Sequence, residues 1–516
     1  MTIQNFIRVL TNGEQINGGS VLIDEVDKEQ LSIYTSSLQR EGDVFLFLGR
    51  TGAGKFLFFC NTGDSDDPVS GQFESVSHDD PLLVKCPMNH HNAEMLRKHF
   101  PFTRPVLIGI DDSIGLGDRL GIANAGHLRA LGAGSMKAVL AQQSIRELER
   151  TNRKPEEVLD AASWAVFQEG YTEGFGADAD HLKTVDHIDL MVRAGYTMLT
   201  IDPSEYVINE ASGYGKDELL KRSAELPWKD LQSSQDRFIS AYNGKTFFIS
   251  DDFHIKPTES EVLQALVKYG GVVAHTSRLH NHLKSNWPDH PVEIELSIDE
   301  TDSPTTLFEH YMIVSELKRL GIALTGIAPR FVGDFEKGID YKGDPGHFKD
   351  EYVRHLGIAN KLGPYKISIH SGSDKFGVYE VIGSLKQGHV HVKTAGTSYL
   401  EALRTVAAAD PGLFGEILDF SRAKFKTDRQ TYHISADLTK VPEAGRCSTT
   451  ELFGLLDQDD ARQVLHVTFG SVLTERDHHG ELRFKDRLMH MLNENEDAHY
   501  HNLETHLRRH IQPFAS

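Results

Sequence analysis

The chain has 516 residues and a formal net charge of −21, with 75 acidic against 54 basic side chains. That balance argues against nucleic acid, because phosphate binding needs a basic face. It still permits a small anionic substrate held by a local Arg or Lys. No apolar run approaches the roughly 20 residues needed to cross a bilayer, so no membrane role is expected. The first residues, MTIQNFIRVLTNGEQING, lack the basic and apolar regions of a signal peptide, and three cysteines (Cys60, Cys86, Cys447) do not make a disulfide framework. The expected compartment is the cytoplasm.

Residues 1–100 read as a β-rich N-terminal subdomain, with SVLIDEV, DVFLFLG and KFLFFC as short apolar strands. Within them GRTGAGK (49–55) fits the GxxxxGK core of a phosphate loop. A phosphate loop needs a hydroxyl residue after the Lys and a helix starting there. Phe56 follows instead, and LFFC continues as strand, so a hairpin turn is the better reading.

From about residue 105, strand-like runs alternate with helix-like sequence. They are VLIGIDD (106–112), KAVLAQQ (137–143), FGADADH (175–181), MLTIDPSE (198–205), VEIELSIDE (292–300), LTGIAPRF (324–331), YKISIHSGSD (365–374) and HVHVKTAG (389–396). An α/β fold of the (β/α)8 TIM-barrel type needs this alternation, and its active site sits at the C-terminal ends of the strands. GLGDRLG (115–121) resembles a dinucleotide fingerprint but is spaced GxGxxxG, so no NAD site is expected and the segment reads as a substrate-contacting loop. KPEEVLDAASWAVFQEG (154–170) reads as a helix opened by Pro155 and closed by Gly170. Residues 206–290 form a helical insertion between the fourth and fifth strands, too long for a simple βα connection. The barrel is expected over 101–430 and a C-terminal extension packing on it over 431–516. TYHISADL and QVLHVTFGSVL either complete the barrel or meet a partner subunit. His506 and His510 lie four apart on the tail, with no acidic third ligand in view, and read as part of a solvated helix.

Side chains alternate faces along a strand. Glu293, Glu295, Ser297 and Asp299 share one face of VEIELSIDE; Lys366, Ser368 and His370 share one face of YKISIH; His389, His391 and Lys393 share one face of HVHVK. The apolar faces must meet the helices, so these polar faces point into the lumen. Buried ionisable groups are costly unless they pair or bind metal. His181, His370 and His391 are therefore candidate ligands of a divalent cation such as Zn²⁺, Mn²⁺ or Ni²⁺, with Glu295 or Asp180 able to replace one of them. Asp178, Asp180, Asp202, Glu295, Asp299 and Glu300 are available for proton transfer. Arg119, Arg146, Arg330, Lys337, Lys375 and Lys393 place positive charge near strand ends. Of these Arg330, Lys393 and Arg119, with Gln143, are the candidates for contact with substrate; Gly326 and Ala328 leave room beside Arg330.

Long blocks, among them DDSIGLGDRLGIA, VFQEGYTEGFGADADHLK, SIDETDSPT, RFVGDFEKGIDYKGD, KISIHSGSDKF and HVKTAGTSYLEA, keep their order from about residue 105 to the C-terminus. They resemble the tagaturonate epimerase family. The resemblance implies a metal-dependent epimerase of bacterial hexuronate catabolism acting on a keto-hexuronate. It implies Asp180 and Glu295 as the acid–base pair and His181 and His370 as metal ligands. His391 as third ligand comes from the lumen-face pattern alone. The two sugars differ at the hydroxyl carbon β to the ketone, whose C–H the ketone does not acidify; retro-aldol cleavage and re-addition would invert it. The alternatives are a metal-dependent aldolase of keto-sugar acids and a nucleotide-binding protein using residues 49–55. The oligomeric state is open, a homo-oligomer included.

Overall fold

A computed structural model describes residues 2–12, 19–26, 29–62, 69–75, 77–80, 83–132, 134 and 136–515. Its centre is a closed parallel barrel of eight strands: β1 (Ser113–Leu116), β2 (Lys137–Ser144), β3 (Phe175–Leu182), β4 (Met198–Ile201), β5 (Glu293–Ile298), β6 (Gly326–Pro329), β7 (Lys366–Ile369) and β8 (Val390–Thr394). β8 pairs with β1 through His391–Ser113 and Lys393–Gly115, which closes the ring.

Seven of the eight expected runs are barrel strands. The first is not: VLIGIDD lies before the barrel, and SIGL (113–116) is β1. The apolar run does other work. Val106 N donates to Phe175 O at 2.8 Å, tying this segment to the start of β3. Gly109 N donates to Glu293 Oε1 (2.5 Å) and so satisfies a carboxylate at the foot of the lumen.

GLGDRLG spans the end of β1 and the turn into helix Asn124–Leu131. Asp118 turns its own carboxylate onto the amides of Leu120 (3.2 Å), Gly121 (2.7 Å) and Ala123 (2.8 Å). Those amides are what a phosphate would need. The helix Pro155–Glu169 has the bounds its sequence suggests, with Pro at its start and Gly170 at φ 61° ending it.

Between β4 and β5 the chain carries short helices, a two-stranded hairpin (Phe247–Phe248 with His254–Ile255) and the 28-residue helix Glu259–Asn286. That long helix packs between Val185–Ala194 and Leu307–Arg319, as the barrel's own fourth helix. The excursion proper therefore ends before it, near residue 258.

The N-terminal region is a seven-stranded antiparallel sheet. It packs on the barrel through Trp164 and Phe167 of helix Pro155–Glu169. GRTGAGK is a hairpin: Val44–Thr51 and Gly54–Asn61 pair antiparallel, and no helix follows Lys55. Lys55 pairs with Glu496 and donates to Tyr500 Oη (2.8 Å) and Gln168 Oε1 (2.9 Å), fastening the sheet to the tail helix. The nucleotide-binding reading of residues 49–55 is thereby corrected.

The C-terminal region is helical. Leu400, Leu403, Phe414, Ile417, Leu465 and Phe469 belong to its own apolar core. TYHISADL and QVLHVTFGSVL are coil and helix, not strands of the barrel. The tail helix Glu496–Ile511 packs on Asn124–Leu131 and Thr397–Ala409 and is buried at His499, His506 and His510. It is not a solvated helix. Asp374 supplies the acid that sequence did not show: its Oδ1 lies 2.5 Å from His506 Nε2, its amide donates to His510 Nε2 (3.0 Å), and Arg462 holds its other oxygen (2.6 Å). These groups satisfy one another and latch the tail to the loop after β7. Among the described residues no helix is long and apolar enough to cross a membrane.

Replacing Lys55 by Met leaves the buried Glu496 still paired with Arg50 and hydrogen-bonded by Tyr34. Denaturant unfolding should show a loss of about 1–3 kcal/mol, while ATP binding is undetectable before and after the substitution.

Candidate active site

Three layers of polar side chains fill the lumen. The lowest holds Ser113, Glu293, Lys366 and His391; Ser113 Oγ lies 2.9 Å from His391 Nδ1 and 3.1 Å from Lys366 Nζ. The middle layer is organised by Lys393. Its ammonium lies 2.8 Å from each of Asp178 Oδ2, Asp180 Oδ1 and Glu295 Oε1, and donates to Thr200 Oγ1 at 2.6 Å. Room for this comes from the neighbouring strand: a Cβ on Gly326 would stand 3.0 Å from Glu295 Oε2. Gly326 makes space for Glu295 rather than for Arg330.

The upper layer faces the mouth. His370 Nε2 lies 2.8 Å from Glu295 Oε1 and its Nδ1 lies 3.2 Å from Asp299 Oδ1. His181 and His370 meet edge to face with ring centroids 5.3 Å apart. Asp202 sits 3.2 Å from His181 Nδ1, which leaves Nε2 toward the mouth, 3.7 Å from Asp180.

Strict alternation would aim Asp180 and His181 to opposite faces of β3. His181 instead has φ 56°, in the left-handed region, and the pairing with β4 slips between Ala179 and Leu182. This bulge brings both consecutive side chains to the mouth. β2 has the same device. Ala141 at φ 52° shifts its register, so Gln142 and Ser144 line the inner cavity and Gln142 donates to Asp180 (3.3 Å). Gln143, the expected contact, is buried with neither end of its amide hydrogen-bonded.

The charges respond to one another. Burial raises the Lys393 ammonium's cost, yet Asp178, Asp180 and Glu295 hold it well above the usual lysine range. Burial would raise Asp180, but His181, Lys393 and His370 pull it below the usual carboxylate range. Glu295 is likewise buried and likewise held low, by Lys393 and His370. Asp178 goes the other way: burial pushes it up to about 6 against the pull of Lys393. Asp180 and Glu295 are thus the carboxylates held ionised, and Asp178 is the one in which burial outweighs the pull of Lys393.

A cavity of about 350 Å³, lined by His181, Asp299, Arg330, Lys337 and His370 among others, opens above this layer. That is within the range of small-molecule sites, about 300–1,000 Å³. A smaller inner cavity shares Arg146, His181, Lys337, His370, Ser371 and Tyr432 with it and reaches Asp180 and Lys393. Tyr432 and His466 come from the two segments that sequence left unplaced; they line the inner cavity from the C-terminal region.

The expected residues are therefore distributed as follows. Asp180, Glu295, His181, His370 and Lys393 meet at the mouth end of the lumen. His391 lies below them, one inward-facing position earlier on β8 than Lys393, and burial holds its imidazole neutral. Lys393 is encircled by acids and is not free to grip a substrate carboxylate. Arg119 pairs with Glu147 (3.0 and 2.8 Å) and stacks on Phe469. Arg330 donates to Thr301 O at 2.5 Å and lines only the outer cavity.

The upper layer suits a divalent cation. It presents two imidazoles and several carboxylates around one cavity, a mixed nitrogen–oxygen set that first-row divalent ions accept. Donor atoms of His181, Asp202 and Glu300 lie within 4.8 Å of one another. The buried His370 Nδ1 has Asp299 Oδ1 3.2 Å away, and Asp299 is held low, against burial, by the charges of both His370 and His181.

Comparison with known proteins shows the family of the chain. The profile of the tagaturonate epimerase family matches residues 34–514. A tagaturonate/fructuronate epimerase of Thermotoga maritima is 40% identical over 479 residues, covering 93% of this chain and 96% of the relative. The fructuronate–tagaturonate epimerase of Cohnella laeviribosi, in its native crystal form, superposes with a TM-score of 0.87 at 34% identity over 99% of each chain. A crystal form of that protein with two glycerol molecules matches with the same score and identity. The chain belongs to the tagaturonate epimerase family.

Proposed function

We propose that this chain interconverts D-tagaturonate and D-fructuronate by inverting the hydroxyl carbon β to the ketone, through retro-aldol cleavage and re-addition. The observation that carries the mechanism is the placement of Asp180 and Glu295 on one ammonium, each 2.8 Å from Lys393 Nζ.

The carbon to be inverted bears a C–H that the ketone does not acidify, so removing that proton is a poor route. Its hydroxyl proton is different. One carboxylate of the pair takes it, the bond to the α-carbon breaks, and an aldehyde and an enediolate remain in the cavity. The aldehyde turns its other face, the α-carbon re-adds, and the new alkoxide receives a proton from the second carboxyl group, which has gained it from the first by way of the Lys393 ammonium that both contact. Atoms and charge balance over the cycle, because the proton taken at the start is the one returned at the end, and both acids are ionised again. Lys393 bridges the two, so the proton can cross within a turnover without bulk solvent.

His181, His370 and Asp299 are the groups we assign to hold a divalent cation, with Asp202 fixing the His181 ring through Nδ1. When bound, such a cation supplies Lewis-acid polarisation of the ketone oxygen and the hydroxyl beside it. The protein's own part is to orient the two imidazoles, to keep both acids ionised between turnovers, and to line the inner cavity with Tyr432 and His466.

The direct assay supplies pure tagaturonate and follows fructuronate by NMR; accumulation of free three-carbon fragments instead would make the protein an aldolase. Asp180→Asn and Glu295→Gln should each lower turnover by about 10²–10⁴-fold, the range for a lost acid–base group; near wild-type rates in both would remove the pair from the chemistry. Chelation should abolish turnover, and Zn²⁺, Mn²⁺ or Ni²⁺ should restore it, with one equivalent of metal found by elemental analysis. His181→Ala protein that still binds that equivalent would contradict the ligand assignment.

A further inference from the structure

Of the cations that line the two cavities, most are already spent. Arg119 is held by Glu147, Lys393 by three acids, and Arg330 by the Thr301 carbonyl. Two remain. Arg146 and Lys337 line both cavities, and no carboxylate lies within ion-pair distance of either among the described residues. Both are only partly exposed. Arg146 rests on the ring of Tyr432, 5.4 Å from its centroid, and Arg150 stacks on that ring at 5.0 Å and donates to its hydroxyl. Tyr432 therefore fixes where Arg146 points.

Burial pushes the Lys337 ammonium below its usual range, and the charge of Arg146 adds to that push. Two neighbouring cations with no acid in direct contact, Asp299, Asp180 and Glu147 acting on Lys337 only from further off, are an unusual use of positive charge in a chain with a net charge of −21. They are repelled in the free protein and relieved by an anion between them.

The proposed substrate brings one. Its carboxylate lies on the far side of the reacting carbon from the ketone, so a chain with its ketone at the imidazoles needs a separate cationic contact. We propose that Arg146 and Lys337 are that contact, and that they make the site selective for keto acids over neutral ketohexoses. The inference rests on the epimerase reading above. Guanidinium offers a planar, two-pronged grip on a carboxylate and ammonium a point charge, so the two are complementary.

The test measures kcat and KM of Arg146→Gln, Lys337→Gln and Lys337→Arg with tagaturonate and with its neutral counterpart, tagatose. Binding of galacturonate, a uronate without the ketone, is followed by calorimetry on the same proteins, with melting temperature and metal content as controls. Each Gln variant should raise KM for tagaturonate about 10- to 100-fold, the range for one lost charge-assisted hydrogen bond. It should weaken galacturonate binding by a similar factor, with little change in metal content. Lys337→Arg should recover most of the loss. Tagatose should be unaffected, so that the preference for the acid falls. The proposal is overturned if both Gln variants keep the wild-type KM and galacturonate affinity, or if tagatose loses as much as tagaturonate. Failure of the wild type to turn over tagaturonate would count against the epimerase reading instead, and the galacturonate arm would still decide the clamp.

Discussion

The structure depends on one ammonium surrounded by acids. Asp178, Asp180 and Glu295 are all buried inside a barrel whose lumen would ordinarily hold branched apolar side chains. Each attraction to Lys393 at 2.8 Å amounts to roughly 6 kcal/mol at an effective dielectric constant near 20. Mutual repulsion among the acids and the loss of their hydration offset most of that sum. The upward push of burial on Asp178 is in line with that offset. The lumen is therefore not a strong source of stability. It is a poised charge arrangement, carried by apolar packing outside the strands.

That outside packing explains why so polar an interior folds. Ile294, Leu296 and Ile298 on β5, Ile367 and Ile369 on β7, and Val390 and Val392 on β8 are buried in the large core cluster under the helices. Period-two alternation separates the two functions of each strand: one face binds the shell, the other builds the site. The C-terminal helices and the N-terminal sheet then clamp the shell from outside, through the Asp374–His506–His510–Arg462 latch and the Lys55–Glu496 contact. The same C-terminal region supplies Tyr432 and His466 to the lining of the inner cavity.

Where alternation holds, the sequence was legible. VEIELSIDE, YKISIH and HVHVK declared their inward faces, and these carry Glu295, His370 and Lys393. Legibility failed where the backbone leaves the regular strand. Nothing in AQQS shows that Ala141 takes a left-handed conformation, so Gln142 and Gln143 exchanged roles. VLIGIDD has a longer apolar run than SIGL and looked the better strand, but the barrel closes on the shorter segment because Ser113 and Gly115 meet His391 and Lys393. The burial of His506 and His510 was hidden because an imidazole on a helix face reads as polar until its acid partner, Asp374, more than a hundred residues away, is brought to it. The positions of Arg146 and Lys337 were visible only as charge near strand ends; that they lack acidic partners is a property of the folded site.

Reversible carbon–carbon cleavage between Asp180 and Glu295 is tested most directly with tagaturonate deuterated at the carbon that inverts. The C–H bond there is never broken on this route. The expected result is fructuronate that keeps all of its deuterium at that carbon, formed at essentially the unlabelled rate. A several-fold primary isotope effect, or loss of the label to solvent, would show that this bond breaks and would contradict the mechanism.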